Sequence, residues 1–447
     1  MEDYFLDPAN FTTEEILRED REYVLDPGAA HMAGSAKGNL VLVSGKGCRV
    51  KDLDGNEYLD FMGAIANAIS GYGNETIINT MIKQVRSLHH SHWSTCNIPR
   101  VKLAKLVIEL LPKKARMKKF FILGSGSEAN EAMIKLARKY TAKKNASKFI
   151  SWWECYHGVT VGALSATGQN MAKAPYWEPL APEFIHVPMP SCYNCAFDKT
   201  YPKCNIQCAK FVKDLIKVEG ADNFAGMLFE PVVSAAGGLV PPKEYFEIMY
   251  EICEKENIVL MFDEVVTGFG RTGKMFACEH FDIYPKMMSF GKGFTSGYVM
   301  ASGVAVNEEI VGMGGFGGIF HGHTITGGVL PNAVAYANVS YIIDHNLVDN
   351  SKKMGDYLFD KLLPLVKKYP DVIGELRHKG LCGSIVFRKG EVMESITNEA
   401  LKMGLILMGN NRVRDNLIWI DPPLVINKDD IDFAVDVIFK AFKNVLN

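Results

Sequence analysis

Along the chain, short runs of apolar residues alternate with longer stretches in which apolar positions return every third or fourth residue. The runs fall at Phe120–Leu123, Phe149–Trp153, Gly226–Phe229, Ile258–Phe262, Met287–Phe290 and Val299–Val306. Runs of this length fit strands buried on both faces, and the amphipathic stretches between several of them fit helices. From about residue 76 to 335 the pattern therefore predicts an α/β unit, a mostly parallel sheet with helices on both faces. Residues 1–75 read as an N-terminal arm, with strands at Leu40–Ser44 and Cys48–Asp52 and a turn at Asp54-Gly55-Asn56. Residues 336–447 read as helix, a strand at Leu381–Phe387, and helix again.

Several chemistry-bearing residues stand where predicted strands end, the edge at which a parallel sheet binds ligands. Asp263 follows one run, and Lys292 stands between two glycines just past another. An enclosed lysine can lose its proton and attack a carbonyl. A carboxylate at a strand end can face a protonated pyridine nitrogen. Together they point to a Schiff-base lysine and the carboxylate partner of pyridoxal phosphate. Either residue alone would also suit a solvated turn. The first run leads into Gly124–Asn130, then a helix with Met133, Leu136, Ala137 and Tyr140 on one face. A strand, a Gly-Ser turn and a helix start make a natural phosphate site. The same residues fit G-x-G-x-x-A, with Glu154 somewhat beyond the spacing of a ribose ligand, so a nicotinamide-dependent dehydrogenase is the rival reading. Helix capping by Ser125 or Ser127 is compatible with both. Tyr156, at the next strand end, can stack on a ring. His157 beside it reads as a structural histidine able to orient that ring.

The segments DEVVTGFGRTG and MSFGKGFTSGY, at 263–273 and 288–298, resemble the core signature of the class III aminotransferases, pyridoxal-phosphate enzymes of fold type I. GSGSEANEAMIKLAR resembles their phosphate loop, and ELRHKGLCGSIVF and IWIDPPLVINKDDID resemble their small C-terminal domain, which implies a large cofactor-binding domain at 76–335 and a small α+β domain built from 1–75 and 336–447. The resemblance implies that Lys292 forms the Schiff base and Asp263 partners the ring nitrogen. It also implies that Gly126 and Ser127 hold the phosphate with Ser125 nearby, and that Tyr156 and Val265 flank the ring. Glu230, in Phe-Glu-Pro, would lie near the reacting centre. Thr324, in His-Gly-His-Thr, would reach the phosphate of a neighbouring subunit, which implies a homodimer. The small residues of Met62–Asn67, Ala66 among them, would leave room in the substrate pocket. The implied reaction moves an amino group from a terminal (omega) amine or amino acid to a 2-oxo acid such as pyruvate or 2-oxoglutarate. Ammonia elimination, decarboxylation and racemisation are the other reactions such a scaffold supports.

The chain also departs from the family's pattern. Val266 stands where many relatives carry a glutamine bonded to the cofactor's phenolic oxygen. ITGG follows Thr324 in place of YSGH. Trp419 takes the position of an arginine found in many relatives directed at α-keto acids. Arg412 and Arg414, just upstream, could bind a substrate carboxylate instead or be exposed loop residues.

Composition narrows the setting. The chain has 447 residues, 48% hydrophobic and 22% charged, with a net charge of −2. No basic stripe points to nucleic acid, and no apolar run is long enough to span a bilayer. The acidic N-terminus lacks a signal core, so the expected compartment is the cytoplasm. The 10 cysteines then read as thiols rather than a disulfide framework. Four of them, Cys192, Cys195, Cys204 and Cys208, fall in an irregular insertion at 186–210 with C-x2-C-x8-C-x3-C spacing. Reduced thiols in a surface loop are expected there; zinc or an iron–sulfur cluster is the alternative.

Overall fold

The computed structural model of the chain describes residues 4–25, 40–170, 178–315, 317, 320–411 and 413–446. Its centre is a seven-stranded sheet. The strands lie in the order Met117–Leu123, Ser302–Asn307, Met287–Phe290, Val259–Asp263, Phe224–Phe229, Lys148–Trp152 and Phe184–Val187. Ser302–Asn307 runs antiparallel to both neighbours, and the other pairings are parallel. The three central strands Phe224–Phe229, Val259–Asp263 and Met287–Phe290 are buried at every position. That is why their sequences run apolar without alternating.

Helices cover both faces. The helix Gly126–Tyr140 packs Met133, Leu136 and Ala137 against Leu228, Val259, Met261 and Met287. The helix Lys243–Glu256 packs Tyr245, Phe246 and Met249 on the other side, with Met227, Phe229, Leu260 and Phe262. Successive residues of Val259–Asp263 thus feed two separate cores, as the period of two in a strand requires.

Several strand assignments differ from the sequence pattern, and the C-terminal stretch holds strands besides the one expected at Leu381–Phe387. The last run begins pairing only at Ser302, because Val299 turns back to accept a hydrogen bond from Thr295 Oγ1 at 2.7 Å. The edge strand Phe184–Val187 has a single buried residue, and so lacks the apolar run that marks its neighbours. The arm's strands lie at Leu42–Lys46, Arg49–Asp52 and Glu57–Asp60. They join Leu405–Ile406 in one four-stranded sheet, so the C-terminal stretch adds a strand to the arm. Another four-stranded sheet holds Ile373–Lys379, Cys382–Phe387, Asn416–Ile420 and Met408–Asn410. The insertion at 186–210 is irregular only between the edge strand Phe184–Val187 and the helix Gln207–Glu219, in which Cys208 lies. No helix among the described residues is long and apolar enough to cross a membrane.

Candidate active site

The parallel register sets Phe229 against Phe262 and Asp263 against Ser289. Glu230, Asp263 and Lys292, each at or just past a strand end, therefore emerge along one edge of the sheet. Asp263 is 4% exposed and held from several sides. Its Oδ2 accepts from Asn130 Nδ2 at 2.7 Å and meets His157 Nδ1 at 2.8 Å. Its Oδ1 accepts from Val265 N at 3.0 Å. Ser289 Oγ lies 3.3 Å from Oδ1 and donates to Asn130 Oδ1 at 2.8 Å. A carboxylate bound this way has no rotamer freedom left. Burial works against a charged His157, but Cys155 and Asp263 raise its pKa well above the ordinary imidazole value.

Opposite stands the start of the helix Gly126–Tyr140. A capping box closes it: Ser125 Oγ accepts from Glu128 N at 3.3 Å, and Glu128 Oε2 accepts from Ser125 N at 3.1 Å. The N–H groups of Gly126 and Ser127, in the first turn, have no intrahelical acceptor. A Cβ at Gly126 would lie 3.0 Å from Val265 Cγ2, so a side chain there would push Val265 aside. Gly158, at φ +135°, lets the chain pass Ser127, whose Oγ accepts from Val159 N at 3.1 Å.

Between these groups lies a cavity of about 190 Å³, lined by Gly126, Ser127, Asn130, Tyr156, His157, Gly158, Glu230, Asp263, Val265, Val266 and Lys292. Burial draws the Lys292 amine below the usual lysine range, against the pull of Asp421, Glu230 and Asp263. Glu230 accepts from Tyr156 N at 3.1 Å and Ser234 N at 3.2 Å. Burial pushes its carboxyl up to about 7. Glu264, the other half of the acidic pair, turns away. It accepts from Ala277 N, Cys278 N and Thr267 Oγ1, which makes it a structural tie.

A raised carboxyl binds its proton more tightly in the folded chain than in the unfolded one. The stability Glu230 contributes is therefore full below its ordinary value of 4.5 and is lost as the pH rises through about 7. Glu230→Gln is expected to flatten that decline, with a gain relative to wild type of up to about 3 kcal/mol at pH 8. Denaturant unfolding of the cofactor-free protein at pH 4 and pH 8 measures it; equal differences at both would contradict the raised carboxyl.

Other sequence-predicted residues lie outside the cavity. Ser125 caps its helix, and Thr324 is exposed on a loop. Ala66 is buried at the end of a left-handed turn in which Ala64, Ile65 and Ala66 have φ of 49°, 60° and 58°. Such a turn costs roughly 1–2 kcal/mol per residue. The Asp60 carboxylate braces it, accepting from Met62 N and Ala64 N, both at 2.9 Å. Trp419 packs with Met62, Val386, Met408, Val413 and Leu417, and its indole N–H has no hydrogen-bond partner among the described residues. Arg414 donates from NH1 to Asn194 O at 2.9 Å and lies beside Glu154. Arg412 falls outside the described residues. Cys192, Cys195, Cys204 and Cys208 line one separate cavity of about 20 Å³. Among the described residues, no group of three or more His, Cys, Asp or Glu side chains stands close enough to hold a metal ion.

Asn130 and Ser289 went unassigned from sequence, although both lie in the quoted motifs. Each is a polar residue inside an apolar pattern, Asn130 on the buried stripe of its helix and Ser289 in Met-Met-Ser-Phe. Buried polar groups need partners, and that mismatch was the available signal.

The profile of the family described as Aminotransferase class-III matches residues 32–442. The chain belongs to the class III aminotransferases. This aminotransferase is 33% identical to the taurine–pyruvate aminotransferase of Bilophila wadsworthia, over 96% of the chain and 97% of that protein. It is 30% identical to the putrescine–pyruvate aminotransferase of Pseudomonas aeruginosa, over 97% and 96% of the two chains. Identity to the leucine/methionine racemase of Thermococcus litoralis is 31%, over 91% of each. A solved aminotransferase of Bacillus anthracis superposes with a TM-score of 0.89 at 31% identity, covering 97% of this chain and 99% of that one. The fold is fold type I, the cofactor is pyridoxal phosphate, and the reaction transfers an amino group to a keto acid. The dehydrogenase reading is thereby corrected. Glu154, its supposed ribose ligand, instead accepts from Arg414 N at 3.0 Å.

Proposed function

We propose that this aminotransferase takes its amino group from a terminal amine and passes it to pyruvate or 2-oxoglutarate, with Lys292 and Asp263 at the reacting centre. The observation that carries the site assignment is the cavity itself. One enclosed amine, one firmly held carboxylate and one open helix start face a shared space. That donor set fits pyridoxal phosphate: an amine for its aldehyde, a carboxylate for its ring nitrogen, and free N–H groups at a positive helix end for its phosphate.

When bound, pyridoxal phosphate supplies an aldehyde carbon that exchanges one amine for another and a ring that draws electrons from the adjacent carbon. The chain does the rest. Gly126 and Ser127 would hold the phosphate through their N–H groups, and Tyr156 and Val265 would confine the ring. Asp263, oriented by Asn130 and His157, would keep a proton on the ring nitrogen. Lys292 would take the proton from the donor's carbon and hand it back two bonds away, across the intervening nitrogen, as general base and then general acid. A lowered amine pKa suits that alternation. Glu230, near neutrality, is a second proton-holding group at the same wall.

A terminal amine is favoured by what surrounds Trp419. An apolar cluster occupies the place of the family's carboxylate-binding arginine, and Arg414 is already engaged with Asn194 and Glu154. The relatives named for taurine and putrescine act on donors without an α-carboxylate. Thr324 sits near exposed Phe320 and Ile325, and Trp93 and Met300 are other exposed apolar side chains. A second copy of the chain covering this surface would bring Thr324 to the neighbour's phosphate, so the working unit we propose is a homodimer.

A donor screen with pyruvate and 2-oxoglutarate tests the reading, scored by amino acid formed from the keto acid. Taurine, putrescine or other terminal amines are expected to turn over well above aspartate and glutamate, and the reverse order would sink the donor assignment. Interconversion of leucine enantiomers without any keto acid would favour the racemase type of chemistry seen in the Thermococcus relative.

A further inference from the structure

The helix Val329–Asp344 buries a mainly apolar surface that includes Val329, Val334, Val339 and Ile342. Two asparagines share that surface, Asn332 and Asn338, both fully buried. An amide in such a place persists where its polar atoms find partners. Asn332 Nδ2 donates to Gly327 O at 2.9 Å, in the loop just before its own helix. Asn338 reaches a different segment. Its Nδ2 donates to Gly293 O at 2.8 Å and to Phe294 O at 3.0 Å, the first two residues after Lys292.

Those two carbonyls belong to the short turn Lys292–Phe294. The turn's own bonds use the carbonyls before them. Phe294 N donates to Gly291 O at 2.8 Å, and Thr295 N donates to Lys292 O at 3.1 Å. A turn this short does not go on to bond its last carbonyls, so buried ones need donors from outside. Asn338 supplies both of its amide hydrogens. Its Oδ1 accepts from Ser70 Oγ at 2.6 Å, and Ser70 N donates to Ser296 Oγ at 2.9 Å, just beyond the same turn. The amide is thereby left one orientation, because turned over it would aim Oδ1 at two carbonyl oxygens. The clamp bears on Lys292 because its φ of 43° is one that side-chain-bearing residues rarely adopt. A backbone released from the clamp is free to return to the right-handed region, which redirects the lysine side chain away from the cavity it lines.

We propose that Asn338 is a positioning residue for Lys292: from the middle of its helix it clamps the two carbonyls that follow the lysine, and so holds the amine where it meets the cofactor's aldehyde. The proposal rests on the reading of Lys292 as the reactive amine. Asn338 stands outside the residues that line the cavity, so its influence on the chemistry passes through the geometry of the turn. A reacting group misplaced by about 1 Å loses up to roughly a hundredfold in rate. A side chain on a helix of 16 residues packed in the core is a firmer anchor than one on a loop.

The test adds pyridoxal phosphate to the full-length, cofactor-stripped chain and follows the visible band as the cofactor attaches. Asn338→Leu keeps the bulk of the side chain and removes both donors. Its attachment rate at saturating cofactor is expected to fall by about tenfold or more. Its affinity for deoxypyridoxine phosphate, which has the ring and the phosphate but no aldehyde, should stay near that of wild type. Val339→Ala, on the same helix and also fully buried, is the stability control. It should melt lower and still attach the cofactor at the wild-type rate. If Asn338→Leu does not fold, Asn338→Val takes its place. An unchanged attachment rate, a loss of analogue affinity that matches the loss of rate, or an equal slowing in Val339→Ala would overturn the proposal. A visible band that persists in Lys292→Ala would instead overturn the reading of Lys292, so the two failures are distinguishable.

Discussion

Lys292→Ala is expected to abolish turnover with every donor and to remove the visible absorption of the cofactor-bound protein. The cavity offers no second amine, since Lys292 is the only lysine among its lining residues. Alanine keeps the backbone and deletes the group we propose to attack the aldehyde and shuttle the proton. Losing both roles at once should cost at least the roughly 10²–10⁴-fold typical of a positioned acid–base group, plus the covalent contribution. Single-turnover assays and an absorption spectrum of the purified variant measure it, with thermal unfolding as the control for a misfolded chain. Turnover retained within tenfold of wild type would end the assignment of Lys292. The left-handed φ of 43° at Lys292 fits its position between two glycines. Alanine tolerates that conformation about as poorly as lysine does, so the substitution adds little new strain.

Much of this architecture was legible in the order of residues, for a physical reason. Central parallel strands are buried on both faces and so announce themselves as apolar runs; Met287–Phe290 was placed to the residue. Their ends, where chemistry sits, are marked by the first charged residue after the run, which is how Asp263 and Lys292 came forward; Glu230 came forward through the resemblance of Phe-Glu-Pro to the family's segment. Edge elements follow another logic. Phe184–Val187 pairs on one side only and needs no continuous apolar face, so nothing in its composition separates it from a loop. Contacts between distant segments were equally hidden. Asn130 to Asp263 spans 133 positions in sequence, and Arg414 meets Glu154 across 260. The spacing of arginines therefore said nothing about whether Arg414 was free. The four cysteines show the opposite limit: proximity in sequence did carry over to a shared cavity, but not to a cluster tight enough for a metal.

Asp263→Ala is expected to lower turnover by several orders of magnitude while leaving part of the cofactor bound. Two effects combine. The proton on the ring nitrogen loses its counter-charge inside a cavity where charges are poorly screened, so the ring draws electrons less strongly as the donor's C–H bond breaks. A thousandfold loss corresponds to about 4 kcal/mol of transition-state stabilisation, within the range of a preorganised charge in a water-poor site. The second effect is structural: Asn130 Nδ2, His157 Nδ1 and Val265 N lose their acceptor at once. A buried donor left without a partner costs about 1–3 kcal/mol, so the variant should also melt lower. Asp263→Asn separates the two. It keeps the shape and one acceptor oxygen, restoring much of the stability, but it has no charge and should stay nearly as inactive as alanine. The phosphate contacts we propose for Gly126 and Ser127 would be untouched in both, so binding is expected to outlast catalysis. Cofactor occupancy by absorbance, kcat with the best donor, and melting temperature for the two variants decide the matter. If Asp263→Asn recovers activity along with stability, the carboxylate serves only as scaffolding, and the ring nitrogen must find its partner elsewhere.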